Sequence, residues 1–249
     1  MGIMDEPVVV EQGCGQVPGG SVMNVICEGS FANMPTSVTK CDKDSVNNLG
    51  QYPASGDPNP PPCMPNCNTP IVVDVSGTGF FLTDAAHGVR FDISGTGRPL
   101  QIAWTASGSD NAWLALPGSD GIVHNGKELF GNFTPQPSSA HPNGFAALAV
   151  YDQPANGGNG DGIIDARDKI FSSLRLWIDA NHDGICQPEE LFTLPSKGIN
   201  SISPSYRLSW KRDAFGNVFR YRSRMNPDGS PENSDVGRMA YDVFLVTAH

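Results

Sequence analysis

The chain has 249 residues, 39% of them hydrophobic and 17% charged, with 28 glycines, 21 prolines and a formal net charge of −10 at pH 7. That apolar fraction suffices for a buried core and the turn formers imply many short elements, while the acidic balance excludes a nucleic-acid binder, whose partner's phosphates demand basic surface. No run of about 18 apolar residues occurs, so no membrane-spanning helix is expected; MGIMDEPVVVEQ also lacks the basic and apolar regions of a signal peptide.

Residues 1–68 hold five of the six cysteines (Cys14, Cys27, Cys41, Cys63 and Cys67) among Gly, Ser and Asn spacers, ending in the run ASGDPNPPPCMPNCN. Such cysteine density with little apolar periodicity predicts loops stapled by disulfides in an oxidising compartment. Zinc is a weaker reading, because Cys63 and Cys67 have no matching Cys/His pair downstream. From Thr69 the texture changes to short apolar runs between glycine turns. IVVDVSGTGFFL (71–82) and VRFDISGTGRPL (89–100) each read as a strand entering a D-x-S-G-T-G turn. Asp74 and Asp92 stand where a calcium loop has its first ligand, but hydroxyls replace the other carboxylates, so a hydrogen-bonded turn is expected. LPGSDGIVHNGKELFGN (116–132) has the same skeleton without its first ligands.

NGFAALAVY (143–151) has helical spacing, and DQPANGGNGDGIIDARD (152–168) follows it. With Asp168 as position 12 of an EF-hand-type loop, Asp165 falls at 9, Ile163 at 7, Asp161 at 5 and Asn159 at 3, while Gly157 occupies position 1. Asp152, looped in over a five-residue insertion, is the candidate for the missing first ligand. KIFSSLRLWI (169–178) places Ile170, Phe171, Leu174, Trp177 and Ile178 on one stripe, which predicts a helix shared by this loop and the next, with Trp177 in the core.

DANHDGICQPEE (179–190) matches the loop in full. Asp179, Asn181 and Asp183 supply oxygens at positions 1, 3 and 5, Gly184 makes the turn, Ile185 offers its carbonyl, Gln187 stands at the often water-mediated ninth position, and Glu190 closes the shell. A solvated acidic turn is the competing reading. Cys186 is expected to be a small buried hydrophobe and His182 a solvent-facing filler. A short helical turn is expected to end at Pro195, with Gly198 and Ile199 leading into a strand. Beyond residue 205, YRLSWKR, DAFGN, VFRYRSRM and GRMAYDVFLVTAH read as a hairpin and a closing strand carrying seven of the sixteen basic residues, among them Lys211, Arg220 and Arg222. A solvated strand face and a contact for a protein partner are both open there.

The succession TPIVVDVSGTGFFL, VRFDISGTG, SDGIVHNGKELFGN, NGFAALAVYD and NGDGIIDARDKIFSSLRLWIDANHDGICQPEEL resembles the calcium-dependent self-processing module of bacterial RTX-type secreted proteins, over about residues 69–203. The resemblance implies a calcium-folded α+β domain, which in some members cuts itself at an Asp-Pro bond and passes the new aspartyl end to a lysine amine. Such cleavage needs a carboxylate that attacks its own carbonyl to form a cyclic anhydride. The matching dipeptide here is Thr69-Pro70, whose hydroxyl cannot do this, and the separate Asp57-Pro58 reads as an ordinary turn in the linker, with a displaced self-cleavage site as the alternative.

The expected fold is therefore α+β: short strands and Gly-rich turns, a pair of EF-hand-like calcium loops sharing one helix, and a C-terminal β-hairpin. Its expected divisions are an extension (1–68), a calcium module (69–204) and the hairpin with closing strand (205–249). The expected function is a non-enzymatic, calcium-binding module at the cell surface or outside the cell. Self-cleavage and a partner-binding fragment of a larger secreted protein are the alternatives, and the start without a signal suits a fragment.

Overall fold

The computed structural model describes residues 15–17, 21–23, 68–139, 141–227 and 238–248. The chain divides into two compact units, Met1–Pro61 and Pro62–His249. In the first, strands β1 (Gly15–Val17) and β2 (Ser21–Met23) pair as an antiparallel ribbon. The Asp57-Pro58 dipeptide and the five N-terminal cysteines lie outside the described residues.

The second unit is built on β3 (Ile71–Asp74), β4 (Val89–Phe91), β5 (Leu100–Ile102), β6 (Asn111–Ala115), β7 (Ile164–Asp165), β8 (Arg175–Trp177), β9 (Leu191–Thr193), β10 (Ser201–Ile202), β11 (Arg207–Arg212), β12 (Val218–Arg224) and β13 (Met239–Phe244). Its α-helix, α1, spans Gly144–Ala149. Seven strands form one antiparallel sheet in the order β11-β12-β13-β3-β6-β8-β9, flanked by the pairs β4-β5 and β7-β10.

Both faces of the sheet's central strands are buried, and the alternation of side chains sorts residues between them. Ile71, Val73, Ala112, Leu114, Leu176 and Ala240 point into one core, covered by Phe145 and Leu148 of α1 and by Ile164 and Phe171. Val72, Trp113, Ala115, Trp177, Phe219 and Val243 point into the other, covered by Val89, Phe91, Ile102 and Trp104 from the β4-β5 layer. Strands buried on both faces read as continuous apolar runs, which is why IVV and NAWLA show no polar alternation.

This architecture corrects the expected α+β fold with a helix shared by two EF-hand-like loops. Residues 169–178 contain a short 3₁₀ turn, Phe171–Ser173, and then strand β8. The stripe that suggested a helix is equally an alternation: Leu174, Leu176 and Ile178 enter one core while Trp177 enters the other. Over so short a span the two periods are degenerate, and pairing with β6 on one side and β9 on the other resolves them in favour of a strand. Burying both faces of β8, at ~1.5–3 kcal/mol per large side chain, outweighs any helical preference of the segment. The helical turn expected after Glu190 is likewise strand β9, followed by a 3₁₀ turn at Pro195–Lys197.

Strands β11 and β12 form an antiparallel hairpin, and β13 lies between β12 and β3, so the hairpin and the closing strand build the same sheet as β3, β6, β8 and β9. β11 is an edge strand whose Arg207, Lys211 and Arg212 are exposed. Charge on an edge opposes pairing with another chain's strand. Lys211 Nζ also lies 5.2 Å from the ring centre of Phe80 and 5.1 Å from that of Phe219, and Arg220 stacks 4.1 Å over Trp210. Part of the basic hairpin is thus spent on aromatic faces within the fold.

Candidate metal centre

One local device recurs in four loops. An aspartate at the first loop position accepts the amide of the glycine at the sixth: Asp74 from Gly79 at 2.8 Å, Asp92 from Gly97 at 2.6 Å, and Asp179 from Gly184 at 2.9 Å. In the fourth loop Asp152 accepts from Gly162 at 3.0 Å, ten residues on, so the five-residue insertion is looped out and Asp152 takes the place that Gly157 holds in the plain count. Each of these glycines has φ between +70° and +112°, a conformation in which a Cβ is strained. At Asp74 the carboxylate is turned inward, taking the amides of Gly77 and Thr78 as well; Asp92 also takes that of Thr96. These two are the hydrogen-bonded turns the residues suggested.

Loop 179–190 connects β8 to β9. The ladder pairs Trp177 with Leu191, and Ile178 donates to the Glu190 carbonyl at 3.0 Å, so the loop's first and twelfth residues are brought together by strand pairing, where an EF-hand uses two helices. Asp179 and Glu190 are 2% and 5% exposed. Trp104 Nε1 donates to Asp179 Oδ2 at 2.8 Å, Trp177 Nε1 to Glu190 Oε2 at 3.1 Å, and the Ala180 amide to Glu190 Oε1 at 2.9 Å. Asp183 takes the amide of Ile185 at 2.7 Å and the side-chain amides of Asn181 and Gln187 at 2.9 and 3.0 Å. Ile185 has its side chain in solvent, 64% exposed, leaving its backbone as its contribution to the loop.

His182 is not the solvent filler its position suggested. Its Nδ1 lies 2.8 Å from the Thr105 carbonyl and its Nε2 2.8 Å from the His87 carbonyl, clasping the loop to the segments on either side of β4-β5. Cys186 is a free, buried thiol of the second core, and burial pushes it up to about 11.

In loop 152–168, Asp168 is 2% exposed and accepts the amides of Asn159 at 3.1 Å and Asp165 at 2.8 Å. Asn159 donates its side-chain amide to Asp161 at 3.1 Å, and the Ile163 amide donates to Asp161 at 3.0 Å. Arg167 lies 2.6 Å from both Asp161 and Asp165; its side chain and backbone amide hold the Asp165 carboxyl below its usual value. β7, within this loop, pairs with β10.

Among the described residues no group of three or more His, Cys, Asp or Glu is gathered as a metal cluster. The donor set is instead mixed, and each loop holds one buried acceptor oxygen without a hydrogen-bond donor among the described residues: Asp152 Oδ1 and Gln187 Oε1. A buried carboxylate or amide oxygen left unpaired costs ~1–3 kcal/mol, and a calcium ion, which takes six to eight oxygens from carboxylates, amides and carbonyls, satisfies such atoms. The residues present therefore fit a hard divalent cation.

The indole donors and Asp242 carried no loop-type spacing and were invisible in the sequence. Asp242 is 0% exposed, and its Oδ2 accepts from the Thr69 hydroxyl at 3.2 Å and the Gly144 amide at 2.5 Å. Thr69 is also buried, and its hydroxyl accepts the Asn132 amide at 2.9 Å. Gly131 permits this approach, since a Cβ there would stand 1.7 Å from the Thr69 carbonyl oxygen.

Residues 71–239 match the SPM domain family, and the chain belongs to that family. The match runs from β3 through the basic hairpin into β13. Over 152 residues the chain is also 38% identical to the iron-regulated protein FrpA of Neisseria meningitidis serogroup C, a match that covers 60% of this chain and 13% of FrpA. The domain thus recurs as a small segment of a far longer protein. No helix among the described residues is long and apolar enough to cross a membrane.

Proposed function

We propose that this SPM domain is a non-enzymatic, calcium-binding module of a secreted protein, set into its final form by Ca²⁺ at two loops. Asp179, Asn181, Asp183, Glu190, the Ile185 carbonyl and Gln187 hold one ion; Asp152, Asn159, Asp161, Asp165, Asp168 and the Ile163 carbonyl hold the other. The observation that carries the reading is the buried, donorless oxygen in each loop, Asp152 Oδ1 and Gln187 Oε1. Both belong to ligand positions, and the looping-in of Asp152 gives the interrupted loop the same first-residue anchor as the intact one. Calcium supplies charge neutralisation for the loop carboxylates. Binding to the native state alone stabilises it by RT ln(1 + [Ca²⁺]/Kd), so a Gly-rich domain can stay loose at low calcium and set at ~10⁻⁴–10⁻³ M, the range of extracellular modules.

Thr69 supports the non-enzymatic part. The position at which the self-processing resemblance requires a carboxylate holds a hydroxyl hydrogen-bonded to Asn132 and Asp242. The test is a calorimetric calcium titration of metal-stripped protein into the millimolar range, followed by intact mass on the same sample. Saturable binding at two sites with unbroken mass is expected. Absence of binding makes the loops plain turns, and two fragments would restore the enzymatic reading.

A further inference from the structure

Two indole N–H groups reach from the second core to the two ends of loop 179–190. Trp104, just after β5, donates to Asp179 Oδ2, and Trp177, the last residue of β8, donates to Glu190 Oε2. Both rings are fully buried, their centres 5.4 Å apart in a near-perpendicular arrangement, with Trp113 4.7 Å from Trp104 in the same cluster. Trp113 Nε1 is buried too, yet has no hydrogen-bond partner among the described residues. The cluster therefore tolerates an unpartnered indole, and packing alone does not account for the two that reach the loop.

We infer that Trp104 and Trp177 are positioning residues for the cation at loop 179–190, an inference that rests on the calcium reading above. Asp179 and Glu190 are buried at positions 1 and 12, so each indole N–H supplies a hydrogen bond that burial has withdrawn from water. An indole N–H occupies one oxygen of each carboxylate, so the side chains are held in one orientation before the ion arrives. Lone pairs not engaged by protein donors remain available to the ion. Little side-chain entropy is then lost on binding, and outer donors of this kind typically carry about 10–100-fold in metal affinity. Because Trp104 belongs to the layer over the second face while Trp177 belongs to the sheet, the pair also ties ion binding to the docking of that layer on the sheet.

The test compares Trp104→Phe, Trp177→Phe and Trp113→Phe, which remove the same indole volume from one cluster but differ in whether a loop carboxylate loses its donor. Calcium titration by calorimetry, with near-UV circular dichroism as the check on folding, is expected to show roughly 10–100-fold weaker binding for the first two and no more than about threefold for Trp113→Phe. Equal losses in all three, or unchanged affinity in Trp104→Phe and Trp177→Phe, overturn the positioning role while leaving calcium binding in place. A wild-type protein that binds no calcium overturns both. Should a variant fail to fold, the indole N–H resonances of ¹⁵N-labelled wild-type protein decide the matter: calcium is expected to shift those of Trp104 and Trp177 and leave that of Trp113 in place. No shift at the first two refutes the inference.

Discussion

Replacing Asp242 by Asn should change how stability depends on pH. Asp242 is fully buried, and burial pushes its carboxyl from 3.8 up to about 7, against the pull of the Gly144 amide and the Thr69 hydroxyl, which favour the anion. Its Oδ1 has no partner among the described residues to share the charge. In the unfolded chain the group ionises near 3.8, so between 3.8 and about 7 the folded state binds more protons than the unfolded one. Stability from this group is therefore complete below about pH 4 and declines as pH rises to about 7. At ~1.36 kcal/mol per pH unit over that interval, the decline is on the order of 4 kcal/mol, an upper bound for a group that can relax toward its donors. Asparagine keeps an acceptor for Gly144 and Thr69 but never charges, so Asp242→Asn should gain on wild type from pH 4 to about pH 7 and level off above it. The assay is urea unfolding across that range at fixed calcium, taking the difference between the two proteins so that every other titrating group cancels. A flat difference curve would refute the buried, proton-bearing carboxyl. The position has weight because Asp242 ties the entrance of β3 to the start of α1, and α1 leads through a single 3₁₀ turn to Asp152.

Removing the guanidinium in Arg167→Ala should raise calcium affinity at loop 152–168 severalfold, since it frees Asp161 and Asp165, while leaving stability nearly unchanged because the pairs are solvent-facing; calorimetry and urea unfolding check both. Gly184→Ala should cost on the order of 1–3 kcal/mol and weaken calcium binding, because φ there is +70° and the added Cβ would stand 2.8 Å from Val89 Cγ2; an unchanged melting temperature would contradict this. The Cys186 thiol, at about 11, should resist iodoacetamide at pH 8 until the domain is unfolded, as read by peptide mass mapping; rapid labelling of native protein would show the site open.

The turn within DANHDGICQPEE was legible from spacing alone, because Asp179 and the Gly184 amide it captures lie five residues apart in one turn. The return of Asp152 over an insertion, seen in its hydrogen bond from Gly162, was legible from the same count. Residues 169–178 were not: ten residues with apolar positions at 170, 171, 174, 176, 177 and 178 satisfy a helix and a doubly buried strand alike, and only the neighbours β6 and β9 distinguish them. That misreading carried the EF-hand arrangement with it, since two loops were expected to share a helix where a strand closes one of them.

What the sequence determined by itself is local. A carboxylate five residues before a glycine makes the same turn at Asp74, Asp92 and Asp179, because the amide it captures belongs to the turn itself. The tertiary structure decided everything that depends on groups far apart in the chain. The indole donors on Asp179 and Glu190 come from two tryptophans that the sheet and its covering layer bring together across 73 positions, and Asp242 meets Thr69 across a separation of 173. Spacing carries no record of such meetings, for they follow from strand order and from which face each side chain turns to the core.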